Sequence, residues 1–355
     1  MGLFCAFAWG PMSLMVFRFI QGIGTGGEVP VAAAYINELV GAKRRGRFFL
    51  LYEVIFPVGL ACAGIVGYFL VPMLGWQAMF LLGALPAFLT VPLRRVLPES
   101  PRWLLAKGRT EEAERLVKRI EVEFDQRGVH LPPSNTMGMK ALLAEPQGVW
   151  RDLFKGVYRQ RTLMLAGLWL AAYMVNNGLI TWLPTLYTSI FDVPVKRSLG
   201  YGFLTTGCGV AASITCALYI DMVGRRKWYI FAFFGAAIPL ASLALLGGKS
   251  ALQVLVLASC AYAIIQTVTF SLYLYSAELY PTHIRALGVG IGSAFLRIGS
   301  SLGPGVVGAI AAGRHSMSWV FVLFCVTAIA GGVICSMFAV ETKGRVLEEL
   351  SPDVS

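Results

Sequence analysis

Nine runs of predominantly apolar residues divide almost the whole chain: 12–37, 48–71, 77–97, 162–188, 200–220, 228–246, 251–275, 284–312 and 317–339. About 20 such residues in a helix cross a hydrocarbon layer about 30 Å thick. Inside lipid every backbone N–H and C=O must be satisfied internally, which leaves helices or closed barrels. Runs of this length, without period-two alternation, specify helices. A soluble bundle would need a polar stripe along most of them, and the runs supply none. Composition agrees, with 57% of the 355 residues hydrophobic and 14% charged, against about 25% charged in an average soluble domain. A tenth run, residues 2–9, is too short to span and has no basic flank of the signal-peptide kind.

The formal net charge of +11 would suit nucleic acid if the basic residues formed one patch, but they follow the loops instead. Lys43, Arg44, Arg45 and Arg47 lie in one connection, and Arg225, Arg226 and Lys227 in another. Arg285 lies in a third, and Lys343 with Arg345 follows the last run. The intervening loops hold only Lys196, Arg197, Lys249 and Arg314, so the count outside the long central segment is ten against four. Basic loops face the cytoplasm. The expectation is a multi-pass protein of the plasma (inner) membrane with a cytoplasmic C-terminus and no nucleic-acid partner. This orientation puts residue 1 in mid-bilayer, so an N-terminal portion of the protein is expected to be missing.

One long-range echo stands out. Tyr35-Ile36-Asn37-Glu38-Leu39, followed by Arg45-Gly46, is matched 240 residues later by Tyr275-Ser276-Ala277-Glu278-Leu279, followed by Arg285-Ala286. Both copies join one span to the next at the expected cytoplasmic side. Two duplicated halves are the plan of many secondary transporters. A carboxylate at the end of one helix and a guanidinium at the start of the next suit a charge-assisted bond that closes and opens a gate. Glu38, Arg45, Glu278 and Arg285 are the candidates, with Asp221, Arg225 and Arg226 of the Asp221-Met222-Val223-Gly224-Arg225-Arg226 turn. The competing reading of that turn is a positive-inside anchor with an incidental Asp.

These motifs resemble those of the major facilitator superfamily. Arg18-x-x-Gln21-Gly22-x-Gly24 is similar to its fourth-helix pattern, and Pro98-Glu99-Ser100-Pro101-Arg102-Trp103-Leu104 to the signature after helix six. Asp221 to Arg226, Glu278 to Arg285 and Glu341-Thr342-Lys343-Gly344 match its later loops. The resemblance implies an all-α membrane fold in which the nine runs are helices 4–12, residues 2–9 end helix 3, and helices 1–2 are absent. Residues 1–97 would be the rest of the N-terminal half and 98–161 a cytoplasmic linker with intracellular helices. Residues 162–340 would be the C-terminal six-helix half and 341–355 a cytoplasmic tail. In that linker Thr110-Glu111-Glu112 is expected to cap a helix with Leu116, Val117, Ile120 and Phe124 as its apolar stripe. The motifs are of sugar-porter type, but the helix-7 Q-Q-x-S-G of sugar porters is missing. In its place Trp182-Leu183-Pro184-Thr185-Leu186-Tyr187 is similar to the branch of aromatic-acid:proton symporters, niacin-type permeases and organic-ion transporters.

Charge inside a bilayer is costly, so ionisable residues within spans are functional candidates by default. Arg297 sits at the middle of its run among small residues and could fork onto a substrate carboxylate or onto a structural acid. Glu28 lies well inside the first run and could carry a proton, with Arg18 on the same helix as the second proton-coupling candidate. Glu53, about one turn into its run, is assigned to the cytoplasmic gate. Tyr173, Asn176, Asn177 and Trp182 on one helix, with Gln266 and Tyr273 on another, offer amide and aromatic contacts to a substrate. There is no P-loop, H-E-x-x-H or G-x-S-x-G motif, so no enzyme, cofactor or metal site is expected. The reading is a monomeric secondary transporter of a small organic solute, a proton-coupled symporter of an aromatic or other carboxylate. Its rivals are a sugar or organic-cation porter, an inactive fragment and a non-transporting membrane sensor.

Overall fold

The computed structural model describes residues 2–24, 45–96, 98–99, 101, 104, 108–128, 149–312 and 318–343. For 45–51, 95–96 and 282–283 it describes the backbone alone. The early helices are α1 (Gly2–Ala6), α2 (residues 11–24), α3 (Arg45–Leu74), α4 (Gln77–Phe88), α5 (Thr90–Val96) and α6 (Thr110–Gln126). A 3-10 turn, Trp150–Phe154, leads into the later six: α7 (Gly156–Phe191), α8 (Val195–Val223), α9 (Arg225–Leu246), α10 (Ala251–Leu279), α11 (Thr282–Ala312) and α12 (Ser318–Phe338). Among the described residues eight helical segments are long and apolar enough to cross a membrane, one of them Gln77–Arg94, which runs through α4 and α5. The expected run 12–37 is described only as far as residue 24.

The chain divides into two compact units, Met1–Phe49 with Leu74–Pro146, and Leu50–Met73 with Gln147–Ser355. Most of α3 therefore groups with the later helices, whereas the sequence places residues 1–97 together. In the first unit α1 packs against α4, and the Arg18 guanidinium lies 4.7 Å from the Phe80 ring centre. The linker helix starts differently from expectation. Arg109 is the N-cap without a side-chain cap bond, and Thr110 is already helical. Arg109 Nε instead donates to Glu112 Oε1 at 2.9 Å. That bond, from a guanidinium beside it, holds the Glu112 carboxyl below the usual range. The apolar stripe is largely uncovered, with Val117 and Phe124 exposed and Ala113 buried.

The second unit is assembled through glycine. Lipid offers no hydrophobic drive between helices, so small residues that let backbones approach replace it. A Cβ on Gly299 of α11 would lie 2.6 Å from the Leu170 carbonyl oxygen of α7, and one on Gly303 would strike the Met174 carbonyl. Here two backbones touch with no side chain between them. Elsewhere glycine accepts a ring: Gly209 of α8 faces Tyr262 of α10, Gly178 of α7 faces Phe324 of α12, and Gly331 of α12 faces Phe233 of α9. α3 joins through Gly64, whose added Cβ would lie 3.6 Å from the Phe203 Cα of α8.

Turns between these helices are short, so successive helices run back and forth. A single residue, Gly224, separates α8 from α9. Its φ of +95° suits glycine, and a Cβ there would lie 2.5 Å from Glu341 Oε2. The ends that carry arginine converge. Arg161 near the start of α7 donates to the Leu279 carbonyl at 2.8 Å, and Arg226 of α9 donates to the Ser336 carbonyl of α12 at 2.7 Å.

Candidate functional site

Two sets of polar groups stand out in the second unit. The first is at the arginine-rich end. Arg225 opens α9 and extends its fork to Glu278 of α10, with Nε to Oε2 at 3.1 Å and Nη2 to Oε1 at 2.9 Å. Its Nη1 reaches Asp221 Oδ1 at 2.6 Å. Thr342 donates its hydroxyl to Glu278 Oε2 at 2.6 Å. Glu341 accepts the backbone N–H of Arg225 at 2.9 Å and of Arg226 at 3.2 Å. A carboxylate on these first N–H groups of α9 suits the positive end of the helix dipole. Lys343 Nζ donates to the Met222 carbonyl at 2.5 Å. The Asp221–Arg226 turn, the end of α10 and the 341–343 segment thus form one cluster. Sequence spacing paired Glu278 with Arg285, but Glu278 binds Arg225 and Thr342, and Arg285 donates to the Tyr280 carbonyl at 3.2 Å. Glu341 and Thr342 were legible as a motif but not as members of this cluster. Glu38 lies outside the described residues, as does the Arg45 side chain.

The second set climbs the α7 face toward α10 and α11. Trp169 Nε1 donates to Ser276 Oγ at 3.0 Å. Its indole stacks on Tyr173, centroids 5.4 Å apart, and meets Tyr273 edge-on at 4.6 Å. Tyr273 donates its hydroxyl to Ser293 Oγ at 3.5 Å. One turn higher Asn176 Nδ2 donates to Gln266 Oε1 at 2.8 Å, and Asn177 Nδ2 to Ser300 Oγ at 3.2 Å. Trp182 Nε1 donates to the Pro304 carbonyl at 2.9 Å. The structure therefore brings Tyr173, Asn176, Asn177, Trp182, Gln266 and Tyr273 together along one path. Trp169, fully buried, belongs to the same group and was not anticipated. Its spacing from Tyr173, four residues and so one helical face, was the available signal. Gly292 makes room for it, since a Cβ there would lie 2.6 Å from Trp169 Nε1.

Arg297 is fifteen residues from each end of α11, one turn beyond Ser293 and one before Ser300. It is exposed and makes no hydrogen bond or ion pair among the described residues. Tyr173 and Tyr273 lie within electrostatic reach of it. The same two tyrosines lie within reach of Glu53 of α3. Glu53 is 5% exposed and its Oε1 has no hydrogen-bond partner. No hydrogen bond or ion pair joins it to the Arg225 cluster among the described residues. Arg18 belongs to the other unit, where it donates to Gln21 Oε1 at 3.4 Å, and Glu28 lies outside the described residues.

This helical plan has clear relatives. The chain matches the Sugar (and other) transporter family over residues 1–354 and belongs to that family. It is 32% identical over 347 residues to the niacin transporter NiaP of Acinetobacter baylyi, covering 98% of this chain and 77% of that protein. It is 29% identical over 347 residues to the inner membrane metabolite transport protein YdjE of Escherichia coli, covering 95% of this chain and 75% of that one. Among solved structures, the major facilitator superfamily proton:xylose symporter XylE bound to 6-bromo-6-deoxy-D-glucose superposes with a TM-score of 0.71 at 21% identity, covering 95% of this chain and 73% of that one. The protein is an all-α, multi-pass membrane transporter with the major facilitator fold, and not an enzyme.

Proposed function

We propose that this transporter carries a small organic carboxylate together with protons across a plasma membrane, its arginine-rich end and C-terminus in the cytoplasm. One observation carries this reading. Arg297 is charged, central in its span, exposed and without an ion-pair partner among the described residues. A charge at the bilayer centre costs about 2.5–3.5 kcal/mol or more when it faces lipid. The face holding Arg297 is therefore read as lining a watered passage, where a planar fork of donors awaits a carboxylate. The aromatic groups beside it suit a flat ring. Nicotinate is the first substrate to try, because the Acinetobacter baylyi relative is named a niacin transporter.

The test is uptake of labelled nicotinate by vesicles containing the full-length protein. Arg297→Ala is expected to reduce uptake at least tenfold, and Arg297→Lys to keep part of it. Undiminished uptake by Arg297→Ala would remove the role. A sugar is the second reading, supported by the Asn176–Gln266 amide pair, whose groups suit hydroxyls. Labelled xylose in the same assay separates the two.

A further inference from the structure

We infer that the cleft between the start of α7 and the end of α12 binds an anionic phospholipid, its phosphate on Arg159 and an acyl chain between the helices. The cleft has a volume of about 650 Å³ and is lined by Arg159, Gln160, Leu163 and Met164 of α7 and by Ile334 and Phe338 of α12. It shares no residue with the Arg225 cluster or with the polar path along α7. Arg159 and Gln160 lie about one turn into α7 and are exposed. The Arg159 side chain makes no hydrogen bond or ion pair among the described residues. Its basic neighbours are committed elsewhere: Lys155 to Asp152 at 2.8 Å, Arg161 to the Leu279 carbonyl and Arg226 to the Ser336 carbonyl. No acidic side chain lines the cleft among the described residues, and α12 carries no charged residue. Glu341, three residues past Phe338, is held by the first N–H groups of α9.

The other end of the cleft is apolar and closed. Gly167 lies eight residues past Arg159, about 12 Å along the helix, and a Cβ on it would lie 3.0 Å from Ile334 Cδ1. The cleft therefore has room for a headgroup and the part of a chain nearest to it. The flank of the cleft carries the marks of a headgroup layer. Trp150, Phe154 and Val157 are exposed, and the Arg151 guanidinium lies 5.7 Å from the Trp150 ring centre. Exposed rings beside basic side chains belong at the membrane–water boundary. Three ligands compete for such a place. A free phosphate satisfies Arg159 but leaves Leu163 and Phe338, both exposed, uncovered. A zwitterionic lipid covers them but brings a cation beside a guanidinium that has none to balance. An anionic lipid does both: its phosphate accepts from the planar fork of Arg159, and its chain covers the apolar walls. Basic pockets between spanning helices are where anionic headgroups bind. On the orientation proposed above, the lipid belongs to the cytoplasmic leaflet; its binding does not depend on which solute is carried.

The experiment uses the full-length protein in detergent, mixed with phosphatidylglycerol, phosphatidylcholine or inorganic phosphate, with retained lipid counted by native mass spectrometry. Wild type is expected to keep phosphatidylglycerol under conditions that strip phosphatidylcholine, and an excess of inorganic phosphate should not displace it. Arg159→Gln should weaken retention about fivefold, the effect of one cation at a membrane surface. Leu163→Trp, which fills the cleft and leaves the charge in place, should weaken it at least as much. Arg151→Gln, at the same end but outside the cleft, should leave it unchanged. Equal retention of the two lipids by wild type, measured without any variant, would overturn the inference. Displacement by inorganic phosphate would make the place a phosphate site and overturn the lipid. Equal weakening by Arg159→Gln and Arg151→Gln would show diffuse attraction to the basic end and overturn the site. Nicotinate uptake, present or absent, bears on the proposed function and on none of these outcomes.

Discussion

Gly224 shows how a single position can carry two demands. Its backbone needs the positive φ, and the space where a Cβ would sit belongs to the Glu341 carboxylate. Gly224→Ala should therefore destabilise by about 1–3 kcal/mol, read as a lower melting temperature in detergent. Gly207, with nothing near its Cβ position, should tolerate alanine without loss. Glu278→Gln tests the neighbouring cluster. It leaves Arg225, whose side chain is only 10% exposed, with a weaker acceptor, and should lower the same melting temperature, though less than loss of a fully buried pair would. Spacing alone suggested Arg285 for Glu278, because sequence proximity favours the nearest cation. The actual partner comes from another helix, and nothing along α10 names it. Glu53 differs from its gate assignment for a related reason: distance along its own helix gives depth, while the tyrosines within electrostatic reach of it come from α7 and α10.

Helix length and position were largely readable. The expected run 162–188 lies inside α7, and the run 284–312 falls inside α11, since hydropathy marks the part of a helix that lipid must cover. The ends were not, because residues beyond the apolar run, such as Arg161, are tied down by tertiary bonds. What hydropathy does not show is which face of a span meets which neighbour. The α7–α11 contact is written in glycines that read, in one dimension, as ordinary membrane-helix composition. Two positions on α11 separate packing from propensity. Gly303→Ala places a methyl against the Met174 carbonyl and should reduce the amount of folded protein recovered. Gly305→Ala, two residues on, meets nothing within 4 Å and should be neutral or slightly stabilising. Fluorescence-detected size exclusion of the two variants side by side checks this.

For the chain as a whole, the positive-inside pattern proposes which face is which. In a background with the seven cysteines replaced, Lys249→Cys should react with an impermeant maleimide added outside intact cells. Lys343→Cys should react only after permeabilisation, and the reverse result would invert the topology. The polar path along α7 was legible as a list of residues, since amides and aromatics in a span attract notice, but its order was not. Trp169 was hidden because a tryptophan in an apolar run looks like filling until Ser276 and Tyr273 are seen beside it. The α7–α11 seam carries a last consequence. Where carbonyl oxygen of one helix rests on the Cα of another, no rotamer can turn aside to let them slip. These two rods must travel as a welded strut during the transport cycle, and the flexing that admits and releases cargo falls to the joints that have side chains to rearrange.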